Sequence, residues 1–392
     1  MKPDQPARDL IANALDETLV VEAAAGTGKT TELVNRILRV LATGKAAEVR
    51  NIVAVTFTEK AAGELKLRLR QALERTRSGA SGSVRDNLDR ALANLEEAHV
   101  NTIHGFCAEL LRERPVEARV DPLFRVLTED QAARLFDEAF SRWIQQQLAD
   151  PGEGVRRALR RSVFAGYRPG PDAREDGPID RLRRAAWELA EWRDFTAPWT
   201  RRPFAREMAI EPLVEELHEF AALTESPSYA RDFLYLDTAP ARHLSQEIQA
   251  GRHADERNDY DGWEARLVDL SRDRNVSKAR HGRGPGYRSG VTRARVVEAL
   301  DALRGHLDQF RLDADADLAA RLQQELAGAV ARYEALKAQS GALDFLDLLL
   351  KARDLLKSDA VVRRGFQARF THIFVDEFQD TDPLQAEILL LL

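Results

Sequence analysis

The chain has 392 residues but a single cysteine, Cys107. One cysteine excludes an internal disulfide framework, a cysteine-rich zinc site and an iron–sulfur cluster. It fits a reducing, cytoplasmic setting. Also missing is any run of about 18 apolar residues, the length a membrane-spanning helix needs, so no membrane association is expected. The N-terminus, MKPDQPARDL, lacks the apolar stretch of a signal peptide. There is no positive excess either: 58 Lys and Arg stand against 64 Asp and Glu, a formal charge of −6. Any contact with nucleic acid must therefore come from local clusters and from backbone or aromatic groups. No internal repeat is visible.

What is present is ordinary for a globular protein, 44% hydrophobic and 31% charged, and long enough for two or three domains. The first hundred residues alternate helix and strand. Residues 6–16 put Leu10, Ile11, Ala14 and Leu15 on one helical face. Leu19-Val20-Val21 reads as a short buried strand. Thr30 to Leu41 is amphipathic and stops near Gly44. Asn51 to Phe57 reads as a second buried strand, Thr58 to Arg75 as helix, and His99 to Ile103 as a third strand. This rhythm predicts a parallel sheet covered by helices. From about 116 to 340 strands are not expected. Thr128-Glu-Asp-Gln131 looks like a capping box opening a helix, and residues 318–338 form another. Pro- and Gly-rich breaks fall at 166–178 and 281–290. Trp187, Trp192, Trp199 and Trp263 lie in this stretch, where core packing is the common use of tryptophan and base stacking the rarer one. After 340 the α/β pattern resumes, with His372 to Val375 as a buried strand between two helices.

Ala23-Ala24-Ala25-Gly26-Thr27-Gly28-Lys29-Thr30-Thr31 follows a predicted strand and opens a predicted helix, the context a Walker A phosphate loop requires. Glycines let backbone N–H groups approach phosphates without a Cβ clash, and the helix N-terminus adds donors and positive dipole character. Lys29 is expected to reach the terminal phosphates of ATP, and Thr30 to hold Mg2+. The bland alternative is a glycine-rich turn that binds nothing. Asp376 and Glu377, at the end of an apolar strand, are the matching acidic pair. Asp376 is placed to hold Mg2+, and Glu377 to orient and deprotonate an attacking water. Lys29 and Asp376 stand 347 residues apart. A compact phosphate-loop core needs far fewer, so a helical block must be inserted between them.

Three further segments carry a family resemblance. Thr56-Phe57-Thr58-Glu59-Lys60-Ala61-Ala62 resembles motif Ia of superfamily 1 helicases, Thr102-Ile103-His104-Gly105-Phe106 their T-x-H-x-F segment, and Asp376-Glu377-Phe378-Gln379-Asp380 their motif II. With the stretch 341–349, GALDFLDLL, and the run Arg369 to Glu387, the chain most resembles the RecB/AddA group of UvrD/Rep-like DNA helicases. The resemblance covers about 1–112 and 341–392. It implies a 3′→5′ ATP-driven translocase of DNA repair and recombination, acting on single-stranded DNA and duplex/single-strand junctions, with a second helicase–nuclease subunit as partner. It also implies roles. Thr56, Phe57, Lys60, Thr102, His104 and Phe106 would line a single-strand track, Gln379 would sense the terminal phosphate, and Gln5 would read adenine. Two of these segments have plainer readings: Thr58 as a helix N-cap and His104 as a helix-start residue.

The expected fold is thus a P-loop NTPase (RecA-like) α/β domain with a large helical insertion. Residues 1–115 form its first part, 116–340 the insertion, and 341–392 the return carrying the acidic motif. The resemblance leads one to expect later motifs, including arginines that stabilise the transferring phosphoryl group, and none is found here. The apolar run Ile388 to Leu392 reads as a helix cut midway. The chain by itself is therefore expected to bind nucleotide and DNA but to hydrolyse ATP poorly. The basic segment Arg272 to Arg288 reads either as a solvated loop or as a sequence-independent phosphate contact.

Overall fold

The computed structural model describes residues 4–24, 26–161, 177–253, 258–283 and 286–392. Ala25 and most of the break at 166–178 lie outside them. The chain divides into two compact units, Met1–Ala132 with Lys337–Leu392, and Ala133–Leu336. In chain order the first unit begins with α1 (Gln5–Asn13), α2 (Lys29–Ala42), β1 (Ile52–Thr56), α3 (Glu59–Gly79), α4 (Gly82–Ala93), β2 (His99–Thr102), α5 (Ile103–Glu113) and β3 (Arg125–Val126). Helix α6 (Glu129–Ala149) leads into the second unit. There follow α7 (Glu153–Arg160), α8 (Pro178–Glu191), α9 (Arg206–Thr224), α10 (Phe233–Asp237), α11 (Ala239–His253), α12 (Tyr260–Arg272), α13 (Arg274–Ser277), a hairpin of β4 (Gly286–Arg288) and β5 (Val291–Thr292), and α14 (Arg293–Gln339). The first unit then resumes with β6 (Ala342–Leu343), α15 (Phe345–Ser358), α16 (Ala360–Arg369), β7 (His372–Val375) and α17 (Pro383–Leu391).

The main sheet is parallel, in the order β2–β1–β7. All five residues of β1 are buried, as expected of a parallel strand covered on both faces. Its period of two divides them. Ile52 and Ala54 pack with Ile37, Leu65 and Leu88 beneath α2, α3 and α4, while Val53 and Val55 pack with Phe106, Leu348 and Ile388 beneath α5, α15 and α17. The register brings the strand ends together. Thr56 lies opposite Thr102, Val55 lies opposite Val375, and the Asp376 N–H donates to the Val55 carbonyl at 3.0 Å. In sheets of this kind, the edge formed by the carboxyl ends of the strands is where ligands bind. Cys107 sits in the α5 core, fully buried, and burial pushes its thiol up to about 12.

Three expectations from the pattern are corrected. Leu19-Val20-Val21 forms no strand, and Val20 is 80% exposed. Its neighbourhood is set instead by Arg36 of α2, whose guanidinium donates to the carbonyls of Ile11, Ala14 and Glu17 at 2.6–2.9 Å. That clamp ends α1 at Asn13 and sends the chain over the surface, where an apolar triplet finds no ladder partner. The expected apolar face of α1 is only partly used: Ile11 is buried and Leu10 is exposed. The stretch after 116 is not free of strands either, since β3 pairs with β6 and β4 with β5.

The second unit is mainly helical, with two apolar cores. One gathers α9, α11, α12 and the first half of α14; the other gathers α6, α8 and the second half of α14. The helix expected at 318–338 is part of α14, whose 47 residues span about 70 Å at 1.5 Å each. A buried ion network ties α7, α12 and α14: Arg157 pairs with Glu264 and Asp317, and Arg161 with Glu264. Trp263 is core, Trp187 packs its edge against Phe136, and Trp192 and Trp199 are exposed. All five Trp and all six Tyr of the sequence fall between residues 133 and 336. Three arginines of the basic segment are held by contacts, while Arg274, Lys278 and Arg283 are exposed. Arg272 pairs with Asp315, Arg280 pairs with Asp237 and lies over the Phe233 ring, and Arg288 caps the last carbonyls of α9. Among the described residues no helix is long and apolar enough to cross a membrane.

Candidate nucleotide-binding site

The loop before α2 turns on two glycines in the left-handed region, Gly26 at φ +77° and Gly28 at φ +97°. L-residues are strained there. A Cβ at Gly26 would meet nothing within 4 Å, so the loop has an open side. Gly28 provides no side-chain cap, which leaves first-turn N–H groups of α2 without a side-chain partner. The Thr27 hydroxyl closes the loop onto the Ala24 carbonyl at 2.7 Å, and Arg8 of α1 braces it by donating to the Thr27 carbonyl at 3.1 Å. Arg8 also pairs with Asp4 and Glu32. Ala23, Ala24, Gly26, Thr27 and Thr31 are exposed, whereas Gly28, Lys29 and Thr30 are half-buried. Gln5 is near the start of α1, its amide donating to Asp9 at 2.9 Å.

The carboxylates arrive from the end of β7. Lys29 Nζ lies 3.6 Å from Glu377 Oε2, and the Thr30 side chain lies beside the Asp376 carboxylate, close enough to lower it. Residues 348 and 346 apart in sequence thus meet at one edge of the sheet. Glu377 occupies the left-handed region at φ 57° without being glycine, a strained conformation of the kind that collects at functional sites. Its carboxyl is held below the usual range by the Gln379 amide and then by Lys29. Gln379 therefore addresses Glu377 here. Asp376 moves the other way. Burial raises it, the neighbouring Glu377 charge adds to that, and Lys29 and Thr30 only partly offset both. The Thr30 hydroxyl and Asp376 carboxylate are hard oxygen donors side by side, which fits a small divalent cation such as Mg2+.

The raised Asp376 carries a stability consequence. A carboxyl whose folded pKa exceeds its unfolded value destabilises the fold once pH rises through that range, because the folded state must hold a charge it disfavours. Asp376→Asn should therefore raise the melting temperature of the ligand-free chain at pH 7, and the gain should vanish as pH falls below the ordinary carboxylate range. Melting curves from pH 3 to 8 check this. A gain that stays constant with pH would refute the electrostatic cause.

The remaining expected residues cluster at the same edge but differ in accessibility. Phe57, 37% exposed, and Lys60 face solvent at the start of α3. Thr58 caps that helix, accepting from the Ala61 N–H. His104 is half-buried, and burial lowers its imidazole. Thr56 and Thr102 are buried with their hydroxyls engaged. Thr56 donates to the Thr58 carbonyl, and Thr102 donates to Glu59 while capping α5. Phe106 corrects an expectation: its ring is fully buried among His99 and Phe370 and offers no face to a base. One residue of this edge escapes sequence reasoning. Phe345, 43% exposed, stands edge-on to His104 with ring centroids 5.4 Å apart. Helical spacing aligns it with buried Leu348, Leu349 and Ala352, so periodicity alone buries it.

The chain matches the UvrD/REP helicase N-terminal domain over residues 4–392 and belongs to that family. It is similar to proteins named as the A subunit of an ATP-dependent helicase/nuclease. That of Anoxybacillus flavithermus is 25% identical over 96% of this chain and 33% of its own length; that of Geobacillus thermodenitrificans is 28% identical over 95% and 32%. The Moorella thermoacetica protein of the same name is 28% identical over 99% of this chain and 29% of its own length. The chain thus spans about a third of these relatives.

Proposed function

We propose that the chain is the ATP- and single-strand-binding half of a DNA helicase motor of the ATP-dependent helicase/nuclease kind, working in DNA repair and recombination with 3′→5′ polarity. The observation carrying this is the meeting of Lys29 and Thr30 with Glu377 and Asp376 at the carboxyl edge of the parallel sheet. We read the first unit as a P-loop fold, residues 1–115 and 341–392 as motor domain 1A, and 116–340 as its helical insertion. Backbone N–H groups of residues 24–30 would cradle the phosphates of ATP. Lys29 would leave Glu377 for phosphate oxygens, and Gln5 would contact adenine. Thr30 and Asp376 would hold Mg2+, which when bound neutralises charge on the phosphates. Glu377, freed of Lys29, would accept the proton of the water that attacks the terminal phosphorus, and Gln379 would orient it.

For single-stranded DNA, we assign Phe57, Lys60, His104 and Phe345 as the accessible contacts, with Thr56 and Thr102 shaping the backbone behind them. Phe106 supports this surface from the core. Aromatic faces stack on any base, worth about 1–3 kcal/mol each, so binding should be indifferent to sequence. Phe57→Ala with Phe345→Ala should weaken oligo-dT binding about tenfold or more at constant salt. Lys60→Ala should instead lower the slope of log affinity against log salt by about 0.7. Fluorescence anisotropy at several salt concentrations separates the two. Unchanged affinity after all three substitutions would refute the track.

A second reading, a module that binds without turning over, is favoured by one observation: Glu377 is engaged by both Gln379 and Lys29. A phosphate-release assay on this chain with saturating single-stranded DNA separates the readings.

A further inference from the structure

The ends of β1 and β7 and the start of α17 enclose a small space lined by Val55, Thr56, Phe57, Asp376, Thr381 and Gln385, among others. Two polar atoms shielded from solvent, Thr381 Oγ and Gln385 Oε1, have no hydrogen-bond partner among the described residues. Gln385 is 7% exposed. Its backbone N–H is satisfied by the helix cap Asp382 at 2.7 Å, so the atom left over is the side-chain oxygen. Buried polar groups are nearly always paired, and each exception calls for a cause. Here two exceptions share one space, and that space has Asp376 on one wall and the strand end Thr56–Phe57 on another.

We propose that Gln385, assisted by Thr381, is the positioning residue that couples Asp376 to the Thr56–Phe57 segment, so that occupancy of the nucleotide site alters the grip on single-stranded DNA. The inference rests on the nucleotide and DNA reading above. The chemistry of the wall selects this side chain. An ionised Asp376 only accepts hydrogen bonds, whereas the Thr56 hydroxyl donates, at present to the Thr58 carbonyl at 3.1 Å. A carboxamide is neutral and offers donor and acceptor at one end. Its NH2 can be given to Asp376 while its carbonyl takes the Thr56 proton. Thr56 then releases Thr58, the N-cap of α3. Since Phe57 and Lys60 flank that cap, a change at Asp376 reaches both DNA contacts through one side chain. With the Thr56 proton still given to Thr58, the Gln385 carbonyl oxygen stands without a partner, as observed.

The test is the affinity of this chain for labelled oligo-dT, with and without Mg2+ and a non-hydrolysable ATP analogue. The wild-type chain should show an affinity change of about fivefold or more, within the usual span of coupling between sites. Gln385→Leu fills the space without hydrogen bonding. It should keep analogue binding and nucleotide-free DNA binding within about twofold of wild type, yet bring the ratio within about twofold of one. A packing role alone would not move that ratio. A Gln385→Leu chain that keeps the wild-type ratio overturns the proposal. Where melting curves show that variant unfolded, Thr381→Val and Gln385→Met decide, and full retention of the ratio in both overturns it. A wild-type chain that binds both ligands without coupling sinks this inference alone. One that binds neither sinks the underlying reading as well.

Discussion

Replacing Lys337 by Met should lower the stability of the first unit by about 3–5 kcal/mol, the usual result of removing one partner from a buried ion pair. Lys337 is 2% exposed in the last turn of α14. Its ammonium lies 2.8 Å from Asp344 and 2.6 Å from Asp347. Those two residues form the capping box of α15: the Asp347 N–H donates to Asp344, and the Asp344 N–H donates to Asp347. A capping box ordinarily pairs a hydroxyl with one acid. Here both members are carboxylates, and a buried cation offsets their repulsion. Substituting Asp344→Asn and Asp347→Asn along with Lys337→Met should recover at least half of the loss, because neutral groups can keep the cap without the charge. Urea titration followed by far-ultraviolet circular dichroism measures all three chains. A single variant within about 1 kcal/mol of wild type would show that the triad is dispensable, against the usual cost of breaking such pairs. The cap also fixes Phe345, the next residue, so Lys337→Met should disturb its contact with His104.

Lys29→Ala should weaken binding of Mg2+ and ATP about 10- to 150-fold, from about 1.5–3 kcal/mol for hydrogen bonds made by a charged group. Glu377→Gln should leave binding within a few-fold, since the amide keeps the shape and removes the Lys29–Glu377 attraction that competes with nucleotide. In the same variant, any turnover should fall by about 10²–10⁴, the share of a positioned base. Turnover of the wild-type chain should itself be slow, below roughly one per second with saturating single-stranded DNA, given that arginines at the transferring phosphoryl group contribute about 10³–10⁵ in rate. Arg8, the arginine beside the loop, is already committed to Asp4, Glu32 and the Thr27 carbonyl. Isothermal calorimetry and phosphate release give the two numbers. Normal turnover by Glu377→Gln would remove Glu377 as the base, and equal ATP affinity for Lys29→Ala would remove the loop assignment.

Much of the sheet is legible in the sequence because β1 and β7 are apolar runs and α2 and α3 carry their own start signals, Gly28 and Thr58. The triplet Leu19-Val20-Val21 looks identical to such a run, but a strand needs a neighbour, and pairing is not a local property. Helix α4 gives little signal because only Leu88 and Ala91 of its twelve residues are buried. For Phe106 the motif misleads although the pattern holds the answer. Ile103, Phe106, Cys107, Leu110 and Leu111 recur at helical spacing and form one buried face, while His104 falls off it. A motif marks a segment as functional without saying which of its side chains reach the ligand. Gln385 is invisible in the sequence for the opposite reason, since its interest lies in the partner it lacks.

The segregation of the aromatic residues has an optical consequence. Since every tryptophan and tyrosine lies between residues 133 and 336, intrinsic fluorescence above 300 nm and absorbance at 280 nm come from the second unit alone, leaving the candidate nucleotide site dark. Coumarin-, mant- or dansyl-labelled ligands can thus be read against a first unit with no tryptophan or tyrosine emission of its own. Comparing emission with the backbone signal during denaturation then shows whether the two units melt as one or separately.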